Sequence, residues 1–217
     1  YCTMRDLILA GIQWSGKGTQ AQLLLEEFWN QIQYFETGNI LRALMSNENA
    51  IGQYLRDLVN GGRLVKDEVV VWLFKVFLET LDNKSVLWDG SLRRVGQTKG
   101  ILDALLEKGR KPIVVQLEIP EEEVYKRLSH RKMCKNCWKI HSTLLSPEIQ
   151  QCQKCWWELY VRADDADQSA IANRIAEYQK ETVPALEYVA SLGLLVKIDG
   201  MQTVDAIFAQ IEQLLQN

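Results

Sequence analysis

The sequence predicts an α/β fold, a parallel sheet covered by helices on both faces, and three observations predict it. A short apolar run, RDLILA at residues 5–10, leads into a glycine-rich turn and then into TQAQLLLEEFW, whose apolar spacing is helical. Further nearly all-apolar runs, SVLWDG (85–90), PIVVQLEI (112–119) and GLLVKIDG (193–200), recur at intervals filled by helix-like stretches. Strands without a polar face are buried on both sides, which is the condition of a parallel sheet between helical layers. Two stretches break the rhythm: residues 37–66 are helical and charged, and residues 130–165 hold four cysteines among few apolar runs. Both read as inserts, giving core at 1–36, a first insert at 37–66, core at 67–129, a second insert at 130–165 and core at 166–217. Within the last part, Gln168 to Leu192 reads as helix interrupted at Pro184.

A chain of 217 residues with 47% apolar content supports one substantial core rather than several domains. Its net charge of −3 leaves no broad basic field, so neither nucleic acid nor a membrane surface is expected as a partner, and a small-molecule site is. No apolar run approaches the roughly 18 residues of a membrane span. No basic segment followed by a short apolar one marks an export signal, so a cytoplasmic location is expected. Met4 precedes the first apolar run, and the first three residues read as upstream of the start.

The turn itself, GIQWSGKGTQ at residues 11–20, has the spacing G-x-x-x-x-G-K of a phosphate-binding loop. Such a loop gathers backbone amides at a helix N-terminus, where an anion meets both donors and dipole. Lys17 follows the second glycine and is the residue expected to reach the outer phosphates, with Thr19 in reach of a metal ion. Cys134, Cys137, Cys152 and Cys155 form two C-x2-C pairs separated by fourteen residues, the pattern of a closed tetrahedral zinc site. A catalytic zinc keeps one position open, so four cysteines point to a structural ion that holds an insert folded. His130 and His141 flank the cluster, but four thiolates already complete it.

In order along the chain, GIQWSGKGTQA, ETGNILR, GRLVKDE, DGSLRRVGQ, RLSHRKMCKNC, CQKCWWELYVRADD, NRIAEYQKETVPALEY and a late IDG resemble the adenylate kinases of the bacterial type with a zinc-bearing lid. The resemblance runs over nearly the whole length and implies a P-loop NTPase fold with a five-stranded parallel sheet, a nucleoside monophosphate-binding insert and a mobile lid. It implies reversible magnesium-dependent transfer of a phosphoryl group from ATP to AMP, with ADP as product, Mg2+ and structural Zn2+ as cofactors, and a monomer. A kinase for UMP or CMP is the alternative within the class, disfavoured by the long cysteine-bearing insert.

Carried over by position, the resemblance assigns Trp14, Ser15, Gly16, Lys17, Gly18, Thr19, Arg127, Arg131, Ile140, His141 and Gln202 to ATP. It assigns Thr37, Gly38, Arg42, Arg63, Leu64, Val65, Gly90, Arg93, Gln97, Arg162 and Arg174 to AMP, and Thr19 and Asp89 to magnesium. Lys17, Arg93, Arg131, Arg162 and Arg174 would carry the transfer. That reaction asks for alignment and charge neutralisation more than for a base, which suits a set rich in arginine, whose planar fork pairs bidentately with phosphate. A single arginine on a helix is ordinarily a solvated charge; membership of a matched motif is what singles these out.

Trp14 stands where that family has glycine, and so do Trp29, Trp72, Trp138, Trp156 and Trp157; of the seven tryptophans only Trp88 reads as an ordinary strand residue. Six independent exchanges of the smallest residue for the bulkiest are implausible, so the sequence reads as one in which the source organism translates the codon rendered as tryptophan as glycine. Genuine tryptophans would instead imply a damaged ATP site and an inactive nucleotide-binding homologue. Smaller departures are Gln13, Asn39, Ser91-Leu92 and His130 in place of the family's proline, aspartate, Phe-Pro and glycine. They bear on acceptor choice and lid movement.

Overall fold

In the computed structural model, which describes residues 4–60, 65–90, 92–137, 139–144, 146–161 and 168–216, five strands form the parallel sheet. They are β1 (Asp6–Ala10), β2 (Ile32–Glu36), β3 (Ser85–Asp89), β4 (Pro112–Glu118) and, late in the chain, β8 (Leu195–Asp199). Their spatial order is β2-β3-β1-β4-β8, every neighbouring pair parallel. The apolar runs read from the sequence are β1, β3, β4 and β8. The fifth strand, β2, is an edge strand of mixed character, IQYFE, and shows no such run.

Every residue of β1 is buried, and its side chains alternate between two cores. Ile8 and Ala10 join Phe35, Phe74, Trp88, Leu105 and Val189 on one face, beneath α4 (Asp67–Glu79), α5 (Val95–Glu107) and α8 (Val183–Ser191). Leu7 and Leu9 join Leu24, Ile113 and Ile211 on the other, beneath α1 (Lys17–Glu27) and α9 (Val204–Gln216). Trp88 is the largest fully buried side chain, stacked on Phe74 at 4.1 Å and edge-on to Phe35 at 5.1 Å. Its indole Nε1 donates to Thr37 Oγ1 at 3.2 Å, so the one polar atom of the ring is satisfied.

Between β2 and α4 lie two helices, α2 (Thr37–Met45) and α3 (Ala50–Asn60). After β4, α6 (Glu121–Ser129) leads to a separate three-stranded antiparallel sheet made of β5 (Arg131–Cys134), β6 (Ile140–Ser142) and β7 (Leu159–Tyr160), in the order β6-β5-β7. The chain returns through α7 (Gln168–Glu177), which widens into a π turn at Tyr178–Thr182 before α8. The backbone stays helical from α7 into α8, and the widening to a π turn falls just before Pro184, which sits in the first turn of α8. No helix among the described residues is long and apolar enough to cross a membrane.

Candidate active site

The carboxyl ends of β1, β2 and β3 meet at one edge of the sheet, since Asp89 pairs in register with Leu9 on one side and Glu36 on the other. In an open parallel sheet this edge is where a ligand crevice forms. The loop joining β1 to α1 lies there. Gly11 has φ +131°, and a Cβ on it would stand 2.5 Å from the Leu117 carbonyl oxygen, so no larger residue fits. Gly16 has φ +102° at the N-cap of α1. Lys17 folds back across the loop, its ammonium donating to the carbonyls of Gly11 at 2.9 Å and Ile12 at 2.8 Å. Burial holds that ammonium down at about 8, against the attraction of Asp89 and with help from the repulsion of Arg93.

Asp89, the last residue of β3, is pushed up to about 6 by burial, with Lys17 pulling the other way and Glu36 adding to the rise. One of its oxygens lies 3.9 Å from where a Cβ on Gly18 would stand, so the carboxylate faces the first turn of α1, the turn that carries Thr19. Arg93 is held below its usual range by burial, and the Glu177 carboxylate opposes that shift. Its backbone N–H donates to Gln97 Oε1 at 2.9 Å. Leu92, just before it, is fully buried at φ +64°, a strained conformation that the surrounding core holds in place.

Thr37 begins α2, and Arg42 in the same helix donates to Glu36 at 3.1 Å. Val65 is buried, Gly90 follows Asp89 with φ +81°, and Gln97 is buried in α5. Thr37 and Gly90 thus directly follow β2 and β3, and Gln97 reaches the Arg93 amide, while Val65 packs in the core. Arg127 in α6 bridges two loops, donating to the Trp14 carbonyl at 3.1 Å and the Gly200 carbonyl at 3.2 Å. Gln202, beyond β8, accepts from Gln210 at 2.9 Å. Arg174 projects from α7, whose Ile171 and Ile175 pack on Ile12 of the phosphate loop. Arg63, Leu64 and Arg162, and with them Ser91 and Trp138, lie outside the described residues. Glu36 and Glu177 escaped the sequence reading. Both lie in matched stretches, ETGNILR and NRIAEYQKETVPALEY, but their role appears only once strands and helices distant in sequence are neighbours.

In the antiparallel sheet the sulfurs of Cys134, Cys137, Cys152 and Cys155 all lie within 4.8 Å of one another. Sulfurs on a tetrahedral zinc stand about 3.8 Å apart given Zn–S bonds of about 2.3 Å, and the Cys134–Cys155 and Cys137–Cys152 separations are 3.3 and 3.5 Å. The amides of Asn136 and Cys137 point at Cys134, and that of Lys154 at Cys152, each at 3.4 Å, so backbone donors already serve the sulfurs. His141, placed on the ATP side by resemblance, is buried with Nε2 3.4 Å from Cys152 Sγ, as a donor to a ligating sulfur would be. The residues fit zinc. Metal analysis is expected to find one equivalent bound, and Cys152→Ser is expected to abolish it and lower the thermal midpoint; a variant that retains both would show that the cluster is not the ligand set.

The tryptophans divide sharply. Trp88 is fully buried, whereas Trp29, Trp72, Trp156 and Trp157 are 72%, 63%, 74% and 57% exposed. Trp14 and Trp156 adopt φ +71° and +63°, the left-handed region that costs a side-chain-bearing residue about 1–2 kcal/mol. Trp14 packs partly against the Ile12 cluster, and the Arg131 guanidinium lies over its ring at 4.6 Å.

The sequence matches the family model for adenylate kinase over residues 9–194. It is 32% identical over 215 residues to an adenylate kinase of Archaeoglobus fulgidus, covering 97% of this chain and 98% of that protein. Similarity is as extensive to adenylate kinases of Carboxydothermus hydrogenoformans, at 33% over 214 residues (97% and 99%), and Methanosarcina barkeri, at 34% over 215 (97% and 98%).

Proposed function

The chain belongs to the adenylate kinase family of nucleoside monophosphate kinases, and from that premise we propose that it transfers the terminal phosphoryl group of ATP reversibly to AMP, giving two ADP. The observation that carries this reading is that Asp89 and Arg93 both lie within electrostatic reach of Lys17 at the carboxyl edge of the sheet. The Lys17 ammonium and the Arg93 guanidinium supply positive charge for a polyphosphate, with the carboxylates of Asp89, Glu36 and Glu177 close by.

In this reading the amides from Gly16 to Thr19 and the Lys17 ammonium hold the outer phosphates of ATP, the lysine exchanging its bonds to Gly11 and Ile12 for phosphate oxygens. Thr19 and Asp89 hold magnesium, which neutralises charge on the phosphates. Arg42 and Arg93 fix the AMP phosphate, while Thr37, Val65 and Gln97 seat its nucleoside. Arg127, Arg131 and Gln202 serve the ATP side, and Arg174, with Arg162 from the lid, closes over the group in transfer. Excluding water matters because a phosphoryl group poised for AMP is equally open to hydrolysis. Mixing the protein with AMP and MgATP is expected to yield ADP. Faster turnover with UMP or CMP would overturn the choice of acceptor, and absence of product with all three would favour the inactive homologue.

The reading includes a proposal about residue 14 and its companions: Trp14, Trp29, Trp72, Trp138, Trp156 and Trp157 are glycine in the protein its own cell makes. The support is left-handed backbone at Trp14 and Trp156 and the exposure of four of the largest apolar side chains, beside a seventh tryptophan buried as tryptophans usually are. The mass of protein purified from the source organism tests it, and ordinary tryptophan codons in an organism with the standard code would sink it.

The state of Lys17 gives a pH dependence. Its ammonium is held down at about 8, so the ligand-free protein carries the charge below that pH and loses it above. Affinity for MgATP is therefore expected to fall as pH rises through 8, by up to about tenfold per unit, because binding must then take up a proton. Calorimetric titration across that range checks it, and a flat profile would show that the lysine does not meet phosphate.

A further inference from the structure

Where the helical stretch after β2 rejoins the core, Asp67 opens α4 and Arg94 caps α5, and their side chains meet. Arg94 Nη1 donates to Asp67 Oδ1 at 3.1 Å, with the two side chains 29% and 24% exposed. The second carboxylate oxygen lies against the start of α5, 3.2 Å from where a Cβ on Gly96 would stand. Further along, α4 and α5 pack without a gap, since a Cβ on Gly100 would come within 2.9 Å of Val71.

Arg94 is electrostatically misplaced on its own. A cation at a helix N-terminus opposes the dipole, and Arg94 adds repulsion to Arg93 beside it. Asp67 answers both. Its carboxylate sits in the first turn of α4 and against the first turn of α5, and it holds the Arg94 charge away from its neighbour. Each partner adjoins a residue assigned to the acceptor: Val65 precedes Asp67 by two positions, Arg93 precedes Arg94, and Gln97 follows one turn later.

We propose that the Arg94–Asp67 ion pair is a clasp that sets the acceptor site, with Arg94 a positioning residue for Arg93 and Gln97 rather than a ligand of the nucleotide. The proposal rests on the reading of AMP as acceptor. The clasp joins the return of the first insert to the start of α5, the helix that follows Arg93 and carries Gln97, so it acts on AMP and leaves the ATP side alone.

The test compares Arg94→Ala, Asp67→Asn, the double variant and Arg94→Lys, all in a Trp14→Gly background. Arg94→Ala and Asp67→Asn are each expected to raise the KM for AMP about three- to fivefold, the range of a partly buried ion pair, with kcat and the KM for ATP within about twofold. The double variant should be no worse than the poorer single one, and Arg94→Lys should recover most of the loss. Equal rises in both KM values, additive losses or no change would overturn the clasp. A parent that makes no ADP overturns the phosphotransfer reading instead; AMP affinity by calorimetry on the same proteins then decides the clasp, and a parent with no AMP affinity overturns both.

Discussion

Replacing Trp14 with glycine is expected to raise affinity for MgATP by about 100-fold, an effect of roughly 3 kcal/mol. Two physical terms add up to that size. The Arg131 guanidinium rests over the indole at 4.6 Å, and releasing it toward a phosphate costs about 0.5–2 kcal/mol of cation–π attraction. The indole also packs partly on the Ile12 cluster, and pushing it out of the way of a ligand gives up about 1.5–3 kcal/mol of apolar burial at most. Glycine removes both costs and leaves the left-handed turn at φ +71° without strain. Calorimetric titration of the two proteins measures the difference. Equal affinities would show that the indole stands clear of the phosphate path.

Lys17→Met in the glycine-14 protein is expected to cut ADP formation by about 10²–10³-fold, the loss seen when one preorganised donor to a developing charge is removed. The methionine keeps the stem and deletes the charge. Stability should change far less, because two effects oppose each other. The carbonyls of Gly11 and Ile12 lose their donor, at about 1–3 kcal/mol for buried acceptors. In return the fold no longer buries an ammonium that desolvation has already pulled down to about 8. A thermal midpoint within a few degrees of the parent, alongside the fall in rate, assigns the lysine to chemistry. A rate within tenfold of the parent would remove Lys17 from the transfer.

Much of this was legible in the sequence because the informative signals are local. The phosphate loop is defined by spacing within one turn, and the four cysteines by spacing within two knuckles, so both could be read without a fold. Strands β1, β3 and β4 announced themselves because they are buried on both faces, and β8, an edge strand in which only Ile198 is buried, through its apolar run. Strand β2 did not: it lies at the sheet edge, and three of its five residues are only partly buried. The strands of the small sheet are two to four residues long and carry no apolar run, since clustered sulfurs stand where a larger domain would place a core. The residues that tune the site were hidden for another reason. Glu36 acts on Asp89 across a strand pair, Glu177 acts on Arg93 from a helix over eighty positions later, and Asp67 reaches Arg94 from another helix. Such pairs exist only after folding and leave no pattern in the chain.

The π turn at Tyr178–Thr182 holds one residue more than an ordinary helical turn would. Tyr178 Oη lies 3.4 Å from Gln116 Nε2, and Thr182 Oγ1 donates to the Arg93 carbonyl at 3.4 Å, so both ends of that wide turn are pinned to the core. Deleting a single residue there would therefore act as a gear change and not a shortening: with about 100° of rotation per residue, it would swing Arg174 and Glu177 off their bearing on the crevice while leaving every strand in place. Lineages carrying such a deletion should have had to rebuild the arginine cluster from another helix.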